Sequence, residues 1–122
     1  MGNLDYKMSI QPGYVLVERP QDYEIVLKEQ PAMLMEMSAF CKAAARLKVL
    51  VLGSKTKVNL SELDIFALGK EIAKLNLQIA VVESHDASNE DVDFLENVAL
   101  NRGGLIRFFD TQKEAKGWLR IS

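Results

Sequence analysis

One histidine and one cysteine in 122 residues remove more functions than any motif in the chain adds. A single thiol, Cys41, cannot close an intramolecular disulfide, so the fold has to be held by its core. A single imidazole, His85, leaves no spaced set of His and Cys ligands for zinc. It leaves no Ser-His-Asp triad either, because no serine stands on a nucleophile elbow. No apolar run approaches the roughly 18 residues that cross a bilayer, and the opening residues lack the basic start and apolar stretch of a secretory leader. Tyr6 stands where a myristoylation signal prefers Ser or Thr. Neither sign of charge dominates: 15 basic against 17 acidic side chains leave a formal charge of −2, which offers no general pull toward nucleic acid or an anionic membrane. These absences predict a soluble, cytoplasmic protein with no integral membrane segment, no nucleic-acid partner, no metal, no cofactor and no catalytic residue.

What the chain does have is apolar content. At 48% of residues it suffices for one domain over residues 1–122, burying roughly two-thirds of its unfolded surface. Leu4, Tyr6, Met8 and Ile10 alternate with polar residues at the period of a half-buried strand, and Gln11-Pro12-Gly13 breaks the run, which predicts a hairpin with a second strand over 14–18. Residues 23–27 fit a strand, a loop or a helix start equally. Pro31 is tolerated near a helix start, so the first helix begins within a turn of it and runs to about residue 46. Its buried stripe is Met33, Leu34, Met37, Phe40, Cys41 and Ala44. Met35 points outward, and Cys41 belongs to the core.

Residues 49–52 and 77–82 are continuous apolar runs, as in parallel strands buried on both faces. Helices are expected over 60–75 and 88–101, the second with Val92, Leu95, Val98 and Ala99 inward and Gly103-Gly104 for its C-terminal cap. Residues 105–109 make the last strand. Thr111 with Glu114 reads as a capping box opening a final helix that carries Ala115, Trp118 and Leu119, with Trp118 largely buried.

Gly53-Ser54-Lys55-Thr56 hints at a phosphate loop, but that motif needs Lys directly after Gly and a glycine five residues upstream, where Lys48 stands. His85 lies past a central strand with Glu83 and Asp86 beside it, a cluster able to bind a metal or move a proton. The plainer reading is a solvated loop. The acidic stretch 83–96 contains no Lys or Arg, and its Glu90, Asp91 and Asp93 suit the positive end of a helix macrodipole. Any ligand is expected at the carboxyl ends of the parallel strands, in the loops Ser54, Lys55, Thr56, Lys57 and Glu83, His85, Asp86.

The helix expected from residue 60 is the most informative segment. Ile65, Leu68, Ile72 and Leu75 complete a core face at helical spacing, so Leu63 and Phe66 fall elsewhere, sharing their face with Lys70 and Lys74. An apolar patch edged by lysines is a candidate partner surface, Leu63, Phe66 and Lys70. The plainer reading covers it with a neighbouring element. Ser61 lies in the first turn, where free N–H groups suit an anion or phosphate, its plainer role being a cap.

Strings along the chain then resemble a known family. Thr56-Lys57-Val58, Leu60-Ser61, residues 77–83 (LQIAVVE), residues 94–98 (FLENV), Asn101-Arg102-Gly103, and Glu114-Ala115 with Trp118-Leu119 resemble the SpoIIAA-like branch of the STAS domains, over about residues 14–119. The resemblance implies a β–α superhelix: an α/β fold whose mixed sheet has an N-terminal antiparallel hairpin, parallel central strands and about four helices. It implies a regulatory protein that works by binding protein partners or small ligands, and the surface around Ser61, Leu63 and Phe66 is expected to contact a protein partner or a second copy of the chain, as a dimer or other homo-oligomer. The antagonists of the family are switched by phosphorylating a serine in an Asp-Ser-Ser-Gly string; here the string reads Asn59-Leu60-Ser61-Glu62, so Ser61 alone matches. A neighbouring branch resembles CRAL-TRIO lipid-transfer domains, which makes a small apolar ligand the alternative.

Overall fold

The computed structural model describes residues 6–19, 23–25, 30–58, 61–84 and 90–121. The chain opens with β1 (Lys7–Gln11) and β2 (Tyr14–Glu18), paired antiparallel with Gln11 opposite Tyr14. Between them Pro12 presets its own φ, and Gly13 takes φ 88° without the penalty a Cβ would bring. Then follow β3 (Tyr23–Ile25), α1 (Gln30–Ala44), β4 (Lys48–Val58), α2 (Glu62–Ala73), β5 (Gln78–Ser84), α3 (Glu90–Asn101), β6 (Leu105–Phe109) and α4 (Gln112–Leu119). The sheet runs β1-β2-β4-β5-β6, parallel from β2 onward, and β3 adds a parallel pairing along the last residues of β4. The expected mixed sheet, hairpin and four helices are therefore present.

The apolar runs make both faces of this sheet adhesive. Register aligns Val15, Val49, Ile79 and Ile106 in one row and Val17, Val51, Val81 and Phe108 in the next, all on one face. Helices α1, α2 and α3 cover that face with Met33, Leu34, Met37, Cys41, Ile65, Leu68, Ile72, Leu95 and Ala99. The opposite face carries Leu16, Leu50 and Ala80 in one row, and α4 alone closes it with Ala115 and Leu119. Leu50, Ile65 and Leu119 are among the largest fully buried side chains, and each such burial contributes roughly 1.5–3 kcal/mol. Cys41 is part of this core, and burial pushes its thiol above the ordinary value of 9.0, the opposite of what a nucleophile needs.

Helices α2 and α3 meet at Gly69. A Cβ there would stand 2.6 Å from Val98 Cγ1 and 3.3 Å from the Ala99 nitrogen, so glycine is what lets the two backbones approach. At the end of α3 the expected glycine cap is present, with Gly103 at φ 87°. The turn is closed by the Gly104 N–H donating to the Ala99 carbonyl at 2.7 Å.

Four expectations need correction. Ser54, Lys55, Thr56 and Lys57 are not a loop: β4 continues to Val58, because its second half finds partners of its own. Thr56 and Lys57 pair with Tyr23 and Glu24, and Lys55 pairs with Ser84 after a register shift that begins at Leu52. The Gly-Ser that looked like punctuation marks this irregularity, where a glycine in a strand lets another group approach closely. Ile10 is 55% exposed although it shares the Val15 row, because it sits on the edge strand of the sheet. Trp118 is half-buried, because the i, i+4 pair Ala115 and Leu119 takes the core position and leaves the indole against edge-strand Phe109, ring centroids 5.7 Å apart. At Thr111 the Oγ1 accepts the Glu114 N–H at 3.2 Å, but the Glu114 carboxylate answers to the threonine hydroxyl at 3.1 Å and not to its backbone, so half of the expected box is made. The undecided stretch 23–27 begins as β3. Leu4, Asn59, Leu60, His85, Asp86 and Ser88 lie outside the described residues.

Candidate functional site

Helix α2 starts just past the carboxyl end of β4, and its first turn is a complete capping box. Ser61 is extended at φ −74°, ψ 169°; its Oγ accepts the Asp64 N–H at 3.2 Å, and its own N–H donates to Asp64 Oδ2 at 3.3 Å. The serine picked as an anion or switch site is therefore, in this geometry, a cap. Two carboxylates, Glu62 and Asp64, stand in the same turn. They favour the helix start and oppose a second anion there.

Beyond the cap, α2 turns Ile65, Leu68, Gly69 and Ile72 into the core and leaves Leu63 82% and Phe66 39% exposed. Leu75, expected to complete the core face, lies past the helix end and is half-buried against the core. The Phe66 ring has two cations over it: Lys70 Nζ at 6.0 Å from the centroid and Arg102 Cζ at 4.8 Å. Each such contact is worth about 0.5–1 kcal/mol at an exposed site. Lys74 forms an ion pair with Glu71 at 3.1 Å at the far end of the same helix.

The structure thus brings Ser61, Leu63, Phe66 and Lys70 onto one rigid element. It adds Arg102, a member of the Asn101-Arg102-Gly103 string that no periodicity places on this face. Only the packing of α3 on α2 carries the turn after α3 to Phe66. The available signal was local: a basic residue placed directly after a predicted helix end and before the capping glycine.

The second expected location is the carboxyl end of the parallel strands. Ser54, Lys55, Thr56 and Lys57 lie within β4 and Glu83 within β5, with Lys55 and Ser84 in register, so the two segments are neighbours. An open concavity of about 270 Å³ adjoins them, lined by Glu18, Arg19, Leu52, Gly53, Val82 and Gln112. Arg19 directly follows the end of β2. Its N–H donates to the Leu52 carbonyl at 2.9 Å, and its guanidinium lies against Gly53, within 3.1 Å of where a Cβ would be.

Two other hollows lie elsewhere among the described residues. A groove of about 300 Å³ runs beside the edge strand β6 between α3 and α4, with Leu100, Leu105 and Trp118 in its wall. At its rim Glu96 Oε2 accepts the Phe108 N–H at 2.7 Å, occupying an edge-strand donor that would otherwise invite another strand. Inside the three-helix face a cavity of about 50 Å³ is lined by Met33, Met37, Val51, Leu68 and Ile79, with Arg19 at its margin. Among the described residues no group of three or more His, Cys, Asp and Glu could hold a metal ion, and no helix is long and apolar enough to cross a membrane.

A hairpin leading into parallel strands, with three helices on one face and a short closing helix on the other, defines an α/β domain of SpoIIAA-like fold. The chain is similar in structure to an uncharacterized protein of the DUF3478 family with a SpoIIAA-like fold from Shewanella loihica PV-4. The TM-score is 0.55 at 13% sequence identity, over 98% of this chain and 95% of that one. No protein-family model matches the sequence, and no curated protein is significantly similar to it. At this identity the likeness establishes the fold.

Proposed function

We propose that the chain is a non-enzymatic regulatory domain of STAS type that binds another protein through the outer face of α2. The observation that carries the reading is Leu63, 82% exposed beside the open Phe66 ring on a helix already anchored in the core by Ile65, Leu68 and Ile72. Apolar side chains held in water on a rigid helix bind by the surface they withdraw from solvent, roughly 1.5–3 kcal/mol for each one fully covered. Lys70 and Arg102 supply a cationic rim that orients the partner. Ser61 gives the contact a lever. A phosphate there would take the acceptor from the Asp64 N–H and set new charge at the edge of the patch.

The alternative, a small apolar ligand of lipid type, draws on the apolar cavity beneath α1. Its volume of about 50 Å³ is well below the roughly 300 Å³ at the lower end of ligand sites, so a lipid would require the helices to part. The protein-contact reading has the stronger support.

The test immobilises the wild-type chain, Phe66→Asp, Ser61→Asp and a control, Met35→Asp, whose parent side chain is 72% exposed on α1. Each is passed over an extract of the protein's native cells, with circular dichroism as the folding control. Wild type and Met35→Asp are expected to retain the same partner and Phe66→Asp to lose it while staying folded. Ser61→Asp should change the retained amount. Equal retention by all four, or unfolding of Phe66→Asp, would end the reading, and a lipid seen by native mass spectrometry of the purified chain would move it to the alternative.

A further inference from the structure

We propose that the partner of this face is a second copy of the chain, docked by antiparallel pairing of α2 with α2 of the other copy about a twofold axis near Phe66; the inference rests on the contact-surface reading of α2. Its basis is the distribution of charge along the helix. Glu62 stands at the N-terminal end beside Asp64, which the capping box holds; Lys70 stands toward the C-terminal end before Lys74, which is paired with Glu71; and Arg102 joins Lys70 from the turn after α3. Leu63, Phe66 and Ala67 lie exposed between the two ends.

A face of one sign would select a partner of the other sign. A face with opposite ends is complementary to itself, but only when the second copy is reversed, and a twofold axis across the helix does that. Each Glu62 then meets Lys70 and Arg102 of the other copy, and the macrodipoles run antiparallel, so the pairing satisfies both charged ends at once. Ala67 beside Phe66 leaves room for the ring of the other copy and for the 8–10 Å axis separation, roughly, of packed helices. The macrodipole alone accounts for carboxylates in the first turn and lysines in the last. It does not account for two apolar side chains left in water between them, nor for a cation delivered by another element. Two copies meet with little net repulsion, since each carries a formal charge of −2.

A helix of 12 residues is about 18 Å long. The contact therefore falls below the standard interface of roughly 1,600 Å² and makes a weak, concentration-dependent dimer, with Kd about 10⁻⁶ to 10⁻⁴ M.

The experiment is sedimentation equilibrium over a concentration series, with circular dichroism on every variant. Wild type should dimerise, and more weakly at high salt. Phe66→Asp should be monomeric. Glu62→Lys and Lys70→Glu alone should each weaken the dimer about tenfold or more, because each sets like charges together twice across the axis. Mixed in equal amounts, Glu62→Lys and Lys70→Glu chains should pair with each other more tightly than either pairs with itself, because both contacts between positions 62 and 70 are attractive again and only the contact of the lysine introduced at position 62 with Arg102 stays repulsive. A wild type that stays monomeric through the series overturns the proposal. So does a dimer that ignores the reversals, or one that mixing does not strengthen. If the chain is monomeric while Phe66→Asp still loses its captured protein, the second copy is refuted and the contact surface stands; a dimer untouched by Phe66→Asp, together with capture that is equally untouched, refutes both.

Discussion

Helices α2 and α4 open by the same local rule and end with different surfaces. Each begins at a hydroxyl side chain in extended backbone, Ser61 or Thr111, that accepts the N–H three residues on. Each then sets a short apolar stripe into the sheet, Ile65, Leu68 and Ile72 on one face, Ala115 and Leu119 on the other. The outer side of α4 is polar or bare: Gln112, Lys113, Glu114 and Gly117 are exposed, and its one large ring, Trp118, is half-covered against Phe109. The outer side of α2 holds Leu63 and Phe66. A helix in the same molecule folds and packs without such residues, so folding does not require them. That surplus is what the proposed contact face of α2 has and the outer side of α4 lacks.

The largest effect that can break this comparison comes from truncating the two inner stripes. Ile65→Ala and Leu119→Ala, both fully buried in the parent, should each cost about 2–5 kcal/mol in urea unfolding, through lost transfer energy and the cavity left behind. Leu63→Ala should stay within about 0.5 kcal/mol. A Leu63 loss approaching that of Ile65 would erase the distinction.

A smaller effect of opposite sign in the two helices comes from their glycines. Gly69→Ala drives a methyl into Val98 and the α3 backbone and should destabilise by about 1–2 kcal/mol. Gly117→Ala meets nothing within 4 Å and should stabilise by up to about 1 kcal/mol through helix propensity. Thermal melts of the two variants moving in opposite directions would sharpen the contrast between a packed and an open helix surface. The smallest effect is in the caps. Ser61→Ala and Thr111→Ala should each lower stability by about 1 kcal/mol, Thr111 the more, because its hydroxyl also donates to the Glu114 carboxylate, whereas an alanine at 61 keeps the backbone N–H that donates to Asp64. Equal losses would show these second bonds to be without weight.

Much of this was legible in the amino-acid order because it follows from short-range rules. Period-two alternation broken by Pro12-Gly13 specifies a hairpin in any context. The apolar runs behind β4 and β5 specify strands covered on both sides, and helical spacing separated Ile65, Leu68 and Ile72 from Leu63 and Phe66 correctly. Where local signals misled, a long-range partner had decided the outcome. Ser54 to Lys57 carry turn-like residues, yet they are strand, because β3 arrives from earlier in the chain to pair with Thr56 and Lys57 while Ser84 of β5 pairs with Lys55. Trp118 has the size of a core residue, yet the smaller Ala115 and Leu119 hold the buried side of α4 and the edge strand leaves the indole partly open.

By itself, then, the amino-acid order determined the succession of elements apart from β3, the centre of the buried stripes of α1 and α2, and the two apolar side chains left off the stripe of α2, since periodicity and capping act over four or five residues. Tertiary structure alone decided the length of β4, the closeness of α2 and α3 at Gly69, and the placing of Arg102 over Phe66. Each of these joins residues far apart in the chain, and no local pattern encodes such a meeting; it arises only when two elements compete to bury the same surface.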